Sequence, residues 1–227
     1  MGPVRLLDVD RGLWLAVADA PLNRYGEEAI NGRLADLDWV SSAAVAHEAV
    51  VESFLDATAV LPMKLFTIFT SDERALAHLL HERRKVDALL KRVANQHEWG
   101  VRVTLDRARA EAAHSAPKTR PAGAGVGYLA LKKARRDMVV EVAERAREVV
   151  GGLYERLAAR SRLSKRRAAS ELPIQGGPLL LDAAFLVPHS RSTAFRTLVA
   201  REARALARKG YGVTLTGPWP PYTFVQD

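Results

Sequence analysis

His47 and Glu48 stand together in a stretch whose apolar-side residues, Val40, Ala44, His47, Val51 and Leu55, recur every three or four positions. A zinc hydrolase helix needs a second histidine four residues after the first, so that two imidazoles meet one metal beside a glutamate base. Position 51 is Val, so the motif fails. His47 reads instead as a structural histidine, its ring nitrogen bonded to a backbone carbonyl or a nearby acid. His78, His81 and Glu82 share a helical turn, but without a third strong ligand they read as a solvated face. Gly123, Gly125 and Gly127 ahead of Lys132 and Lys133 have the composition of a phosphate-cradling loop. No apolar strand leads into them and no Gly-Lys-Ser/Thr closes them, which argues against nucleotide binding. Ser190 beside His189 is an adjacent pair with diverging side chains, and no G-x-S-x-G occurs. Zero cysteines exclude disulfides, thiolate metal sites and cysteine nucleophiles. Enzymatic activity has no positive support, and no cofactor or metal is expected.

The remaining chemistry is charge. From Lys132 to Arg167 there are twelve Lys or Arg against five Asp or Glu, so this segment supplies +7 of the net +8. A basic surface favours nucleic acid, anionic lipid or an acidic protein face without choosing among them. Lys132-Lys133-Ala134-Arg135-Arg136 and Lys165-Arg166-Arg167 have the spacing to straddle phosphates, which makes a nucleic-acid-binding module using residues 132–167 the rival reading. That reading lacks interleaved aromatics, since Trp99, Phe185 and Tyr211 are few for base stacking. Glu141, Glu144, Glu148 and Glu155 at helical spacings fit a solvated helix face.

These groups must be carried by regular elements. Val4 to Val9 and Leu13 to Ala18 read as a hairpin through Asp10, Arg11 and Gly12, with Leu13, Leu15 and Val17 inward. Leu22 to Leu37 is weakly helical and interrupted by Gly26 and Gly32, and Trp39 to Ala57 is a better helix. Val60 to Phe69, VLPMKLFTIF, is apolar on both alternating faces, which predicts a strand buried centrally in the first domain. Thr70 and Glu73 then have capping-box spacing for a helix over Ser71 to Glu98, with Gly100 as its stop.

Trp99 to Leu105 alternates as a half-buried strand and opens the second domain. His114 to Gly127 is loop-like, and a long helix covers residues 128–163 with a bend or split expected at Gly151-Gly152. Its basic tail runs from Arg160 to Arg167, before Leu172-Pro173 and a turn at Gly176-Gly177-Pro178. Leu179 to Val187 is an apolar strand, Ser192 to Lys209 an amphipathic helix capped by Gly210, and Val213 and Leu215 mark a last strand. The prolines of Gly217-Pro218-Trp219-Pro220-Pro221-Tyr222 stiffen a terminal turn that folds back on a domain, with Trp219 as anchor.

The fold class is therefore α+β in two domains. Residues 1–98 form a small sheet with helices, and residues 99–227 form a ferredoxin-like domain with the long basic helix. No run reaches the roughly 18 uninterrupted apolar residues of a membrane span. The N-terminus lacks the order of a signal peptide, so a cytoplasmic location is expected.

AHEAVVE at Ala46 to Glu52, VLPMKLFTIF at Val60 to Phe69, GYLALKK at Gly127 to Lys133 and LTGPWPPYTFV at Leu215 to Val225 together resemble the gas vesicle protein F/L family. The family often reads Phe-Gly-Thr where this chain has Leu65, Phe66 and Thr67. The resemblance implies a non-enzymatic accessory protein of gas vesicle assembly. It implies binding to the small hydrophobic shell subunit and to other accessory proteins, at the gas vesicle or in the cytoplasm. It also favours the Gly-rich stretch as a flexible joint and helix start. Lys132, Lys133, Arg135, Arg136, Trp219 and Tyr222 are the candidate partner-binding residues, the basic ones adding attraction to a partner rather than forming the centre of an interface.

Overall fold

A computed structural model describes residues 2–106, 126–167 and 177–225 of the protein. Its contacts divide the chain into two compact units, Met1–Asn95 with Trp219–Asp227, and Gln96–Pro218. The last nine residues, expected with the second half, thus pack with the first. Most of the Gly-rich stretch, including Gly123 and Gly125, lies outside the described residues, as do Leu172-Pro173 and Gly176.

The first unit is built on a hairpin of β1 (Arg5–Asp10) and β2 (Leu13–Val17). Arg11 and Gly12 both take positive φ, 49° and 80°, the mirror-image turn whose twist suits a two-residue hairpin. Leu7, Val9, Leu13, Leu15 and Val17 face a small core with Ala75, Leu79 and Val86. Arg5 donates to Asp72 at 2.7 and 3.0 Å and to Asp19 at 2.8 Å, tying β1 to the start of α4 (Asp72–His81). Two short helices, α1 (Leu22–Tyr25) and α2 (Glu27–Asn31), meet at Gly26, so the weak helical pattern breaks where glycine was expected to break it. The next helix, α3 (Leu37–Glu52), starts at Asp36, whose side chain accepts from the Trp39 amide at 3.1 Å.

Val60 to Phe69 is not a strand, contrary to the sequence pattern. Pro62 removes a ladder donor, and Phe66 takes φ 62°, which breaks the pleat. A turn closes there, with the Thr67 amide on the Lys64 carbonyl at 3.1 Å and the Thr67 hydroxyl on the same oxygen at 2.7 Å. The segment is an irregular strap whose apolar side chains serve different neighbours. Leu61 and Phe69 join the hairpin core, while Phe66 lies on Trp39 and Ile68 is 42% exposed.

The long helix expected over Ser71 to Glu98 is two, α4 and α5 (Arg83–Val93), broken at Glu82. Its cap is Ser71, which accepts from the Arg74 amide at 3.3 Å, not Thr70. Gly100 stops no helix. Asn95 turns the chain at φ 57°, with its amide on the Thr58 carbonyl at 2.7 Å, and the next strand has already begun.

The second unit runs β3 (Gln96–Leu105), α6 (Val126–Ala158), β4 (Leu163–Arg166), β5 (Leu179–Pro188), α7 (Ser192–Ala207) and β6 (Tyr211–Trp219). Its sheet order is β4-β5-β3-β6, with β5 antiparallel to both neighbours. This is the complete β-α-β-β-α-β order, one strand more than the sequence pattern suggested. The extra strand comes from the basic run after the long helix, because α6 ends at Ala158 and residues 163–166 pair with Ala183 to Leu186. The Gly151-Gly152 pair does not split α6 into separate elements. Val101, Val103, Leu153, Leu157, Phe185 and Val199 fill the core between sheet and helices, each at most 2% exposed. α7 ends two residues before the expected Lys209, with Arg208 as its C-cap, and Gly210 closes the following turn at φ 84°.

Candidate functional site

The outer face of the hairpin is apolar and uncovered. Strand alternation that buries Leu7 and Leu15 turns Leu6 and Trp14 outward, and they remain 49% and 54% exposed. Across the ladder Leu6 pairs with Ala16 and Trp14 with Asp8, so the face carries a single charge. Of the ten large hydrophobics exposed among the described residues, nine lie between Val4 and Leu80 and only Val140 lies in the second unit. Reading Leu13, Leu15 and Val17 as inward already placed Trp14 outward. The sequence signal missed was that its face stays uncovered.

The basic segment is not one surface. Lys133 and Arg136 are exposed on α6, which also carries Lys132 and Arg135. Arg156 instead donates to Glu202 at 2.8 Å, and the Arg166 guanidinium lies 4.4 Å from the centre of the Tyr154 ring. Arg167 donates to Asp182 at 2.6 and 2.9 Å and sits 3.8 Å from Glu98. Arg102 reaches the other Asp182 oxygen at 3.2 Å. Gly100 opens the path for Arg167, since a Cβ there would lie 2.5 Å from Thr216 Oγ1 and 3.1 Å from the guanidinium. These cations therefore neutralise Glu98 and Asp182, which are 3% and 7% exposed. The aromatic candidates for a stacking platform are equally committed: Trp99, Phe185 and Tyr211 are 3%, 0% and 3% exposed in the core. Burial also raises the Tyr211 pKa, by penalising the phenolate.

The terminal turn packs through its last two prolines and through Phe224 and Val225 rather than through Trp219. Pro220 and Pro221 are buried, as are Phe224 and Val225 of α8 (Tyr222–Val225), which contacts α5. Trp219 and Tyr222 are only half-buried, so Trp219 is not the anchor. The physical reason is local. Left-handed Gly217 (φ 112°) precedes Pro218 and Trp219, and the short helix then turns Phe224 and Val225 inward.

The described histidines are occupied elsewhere. His47 Nε2 lies 3.1 Å from the Met63 carbonyl, the backbone partner expected. His78 packs against Phe69 with centroids 5.3 Å apart, while His81 is exposed 4.0 Å from Glu82, so the two do not converge. His189 stacks on His97 at 3.6 Å, away from exposed Ser190.

The family profile described as gas vesicle synthesis protein GvpL/GvpF matches residues 1–226. The chain belongs to this family. Gas vesicle protein L of Streptomyces sp. (strain CB03234) is 30% identical over 226 residues, spanning 98% of this chain and 83% of that protein. The fold matches the crystal structure of gas vesicle protein GvpF from Microcystis aeruginosa with a TM-score of 0.67 at 16% identity, over 100% of this chain and 90% of that one. It matches GvpF from Anabaena sp. PCC7120 with a TM-score of 0.65 at 17% identity, over 99% and 86%. The GvpL/GvpF chain thus has a gas-vesicle-related role and associates with gas vesicle components. Among its described residues no helix is long and apolar enough to cross a membrane.

Proposed function

We propose that this GvpL/GvpF chain is a non-enzymatic assembly factor that binds the hydrophobic gas vesicle shell subunit and supports vesicle nucleation or growth. The observation that supports this reading is the uncovered apolar face of the β1–β2 hairpin, centred on Leu6 and Trp14. A subunit that exposes apolar surface before it polymerises is prone to aggregate, and a matching apolar face on a partner shields it. Covering half-exposed Trp and Leu side chains contributes on the order of 1–2 kcal/mol each, and the hairpin edges add backbone donors and acceptors for an incoming strand. Lys132, Lys133, Arg135 and Arg136 add electrostatic attraction during encounter, and Trp219 and Tyr222 border the packed terminal turn.

The test is capture of purified shell subunit by the full chain and by Leu6→Glu/Trp14→Glu. Both positions are exposed, so the variant should keep its thermal unfolding midpoint while capture falls about tenfold or more. Undiminished capture by the folded variant would remove the hairpin face from the reading. Failure of the unaltered chain to retain shell subunit, with retention of nucleic acid that weakens steeply with salt, would replace it by the nucleic-acid alternative.

A further inference from the structure

Helix α3 buries one side and leaves the other, which still carries large apolar residues, open. Trp39, Ala43 and Val51 are buried, whereas Leu37 and Val45 are 76% and 65% exposed. Ser41, Ser42, Ala46 and Ala49 share the open side, with Asp38 as its one charge. Large apolar side chains left in water among small residues mark a surface against which another helix fits. The small residues allow a close approach, about 8 Å between axes. The surroundings are one-signed. Residues 36–56 contain Asp36, Asp38, Glu48, Glu52 and Asp56 and no Lys or Arg.

The same chain carries the opposite pattern on another helix. Residues 128–136 contain Lys132, Lys133, Arg135 and Arg136 and no acid. On α6, Lys133, Arg136 and Val140 follow at helical spacing, the two cations exposed and Val140 50% exposed. Asp137 is the only acid before Val140, while Glu141 and Glu144 follow and bound the basic stretch. A helix side with exposed Leu37 and Val45 in a stretch holding five acids, and a helix start with four cations and an exposed valine, are complementary in both charge and polarity. We propose that copies of this chain associate through these two surfaces, the basic start of α6 of one copy lying against the open side of α3 of another. Val45 and Leu37 supply apolar contact, and the acids and cations set partner choice and speed encounter. Nucleic acid or an anionic membrane would use the cations but would be repelled by α3. The involvement of α3 therefore distinguishes self-association from either.

The experiment is sedimentation of the full chain over a concentration series from about 10 to about 300 μM, at about 0.05 M and about 0.5 M salt. The expected result is a weight-average mass that rises with concentration above 24.9 kDa at low salt and returns toward it at high salt. Two single-sided charge reversals follow: Glu52→Lys/Asp56→Lys, at the last residue of α3 and in the turn after it, and Lys133→Glu/Arg136→Glu on α6. Each alone should weaken association about tenfold or more, and mixing the two variants should restore it, because every contact in the mixture can again pair opposite charges. Val45→Glu, at an exposed site, should weaken association without changing the unfolding midpoint. A mass that stays at one chain throughout overturns the proposal, as does a larger mass independent of concentration and salt. So does loss of association in the α6 variant alone with the α3 variants unaffected.

Discussion

Phe66 lies flat on Trp39, ring centroids 5.1 Å apart and planes 7° from parallel, although its backbone sits at φ 62°. The stack holds the irregular strap against α3, and the left-handed backbone at Phe66 is what keeps the strap from pairing as a strand. A side chain with a Cβ costs roughly 1 kcal/mol in that conformation, which the stack and the burial of the ring offset.

Substitution at this position should invert the usual order of residues. Phe66→Ala should destabilise the first unit by about 2–3 kcal/mol, while Phe66→Gly should be milder by roughly 0.5–1 kcal/mol because glycine relieves the strain. Urea unfolding of the two variants checks this. An alanine variant as stable as the glycine variant would mean that the backbone is not held left-handed. The Phe-Gly-Thr of the family resemblance places glycine at this same conformational need.

Arg167 should be the costliest cation in the chain to remove. Its loss leaves buried Asp182 with half-exposed Arg102 and takes a cation away from buried Glu98, so Arg167→Ala should cost about 2–4 kcal/mol. Arg167→Lys should recover only part, since one ammonium cannot reproduce the two bonds to a single carboxylate oxygen. Arg102→Ala should cost below about 1 kcal/mol. Equal effects of Arg102→Ala and Arg167→Ala on the urea midpoint would contradict this ranking.

Alkaline pH should weaken the second unit through Tyr211. Its folded pKa is raised by burial, so above the ordinary tyrosine value of about 10 the unfolded chain loses the phenolic proton while the folded chain keeps it. Stability is then fully present below that pH and declines from there toward the raised folded value. Tyr211→Phe should flatten the decline in thermal midpoint above about pH 10 relative to the unaltered chain. An unchanged slope would place the alkaline sensitivity in another group.

The terminal turn should depend on Phe224 more than on Trp219. Phe224→Ala empties a buried site at a cost of about 3 kcal/mol, whereas Trp219→Ala removes a half-buried ring for about 1–2 kcal/mol. Thermal unfolding of both variants ranks them. A larger loss at Trp219 would restore it as the anchor.

The sequence by itself determined whatever depends on neighbours within one element. The inward residues of β2, the buried run of β5, the amphipathic α7 and the left-handed Gly210 in the turn after it are all written in local periodicity and turn chemistry. His47 likewise had its role set by the missing histidine at position 51, and its carbonyl partner could be foretold in kind. Tertiary structure decided what depends on distant partners. VLPMKLFTIF has the composition of a buried strand, but a strand exists only when another strand offers a ladder, and here Trp39, His47 and the hairpin core each take a different part of it. Residues 163–166 read as the tail of a basic helix and became a strand because β5 offers its free edge. Arg167 read as part of a phosphate-binding cluster and instead neutralises Asp182, fifteen residues away in sequence. Phe224 and Val225 return to the first unit for the same reason: burial and ion pairing act between residues adjacent in space, and that adjacency is settled only when the whole chain has folded.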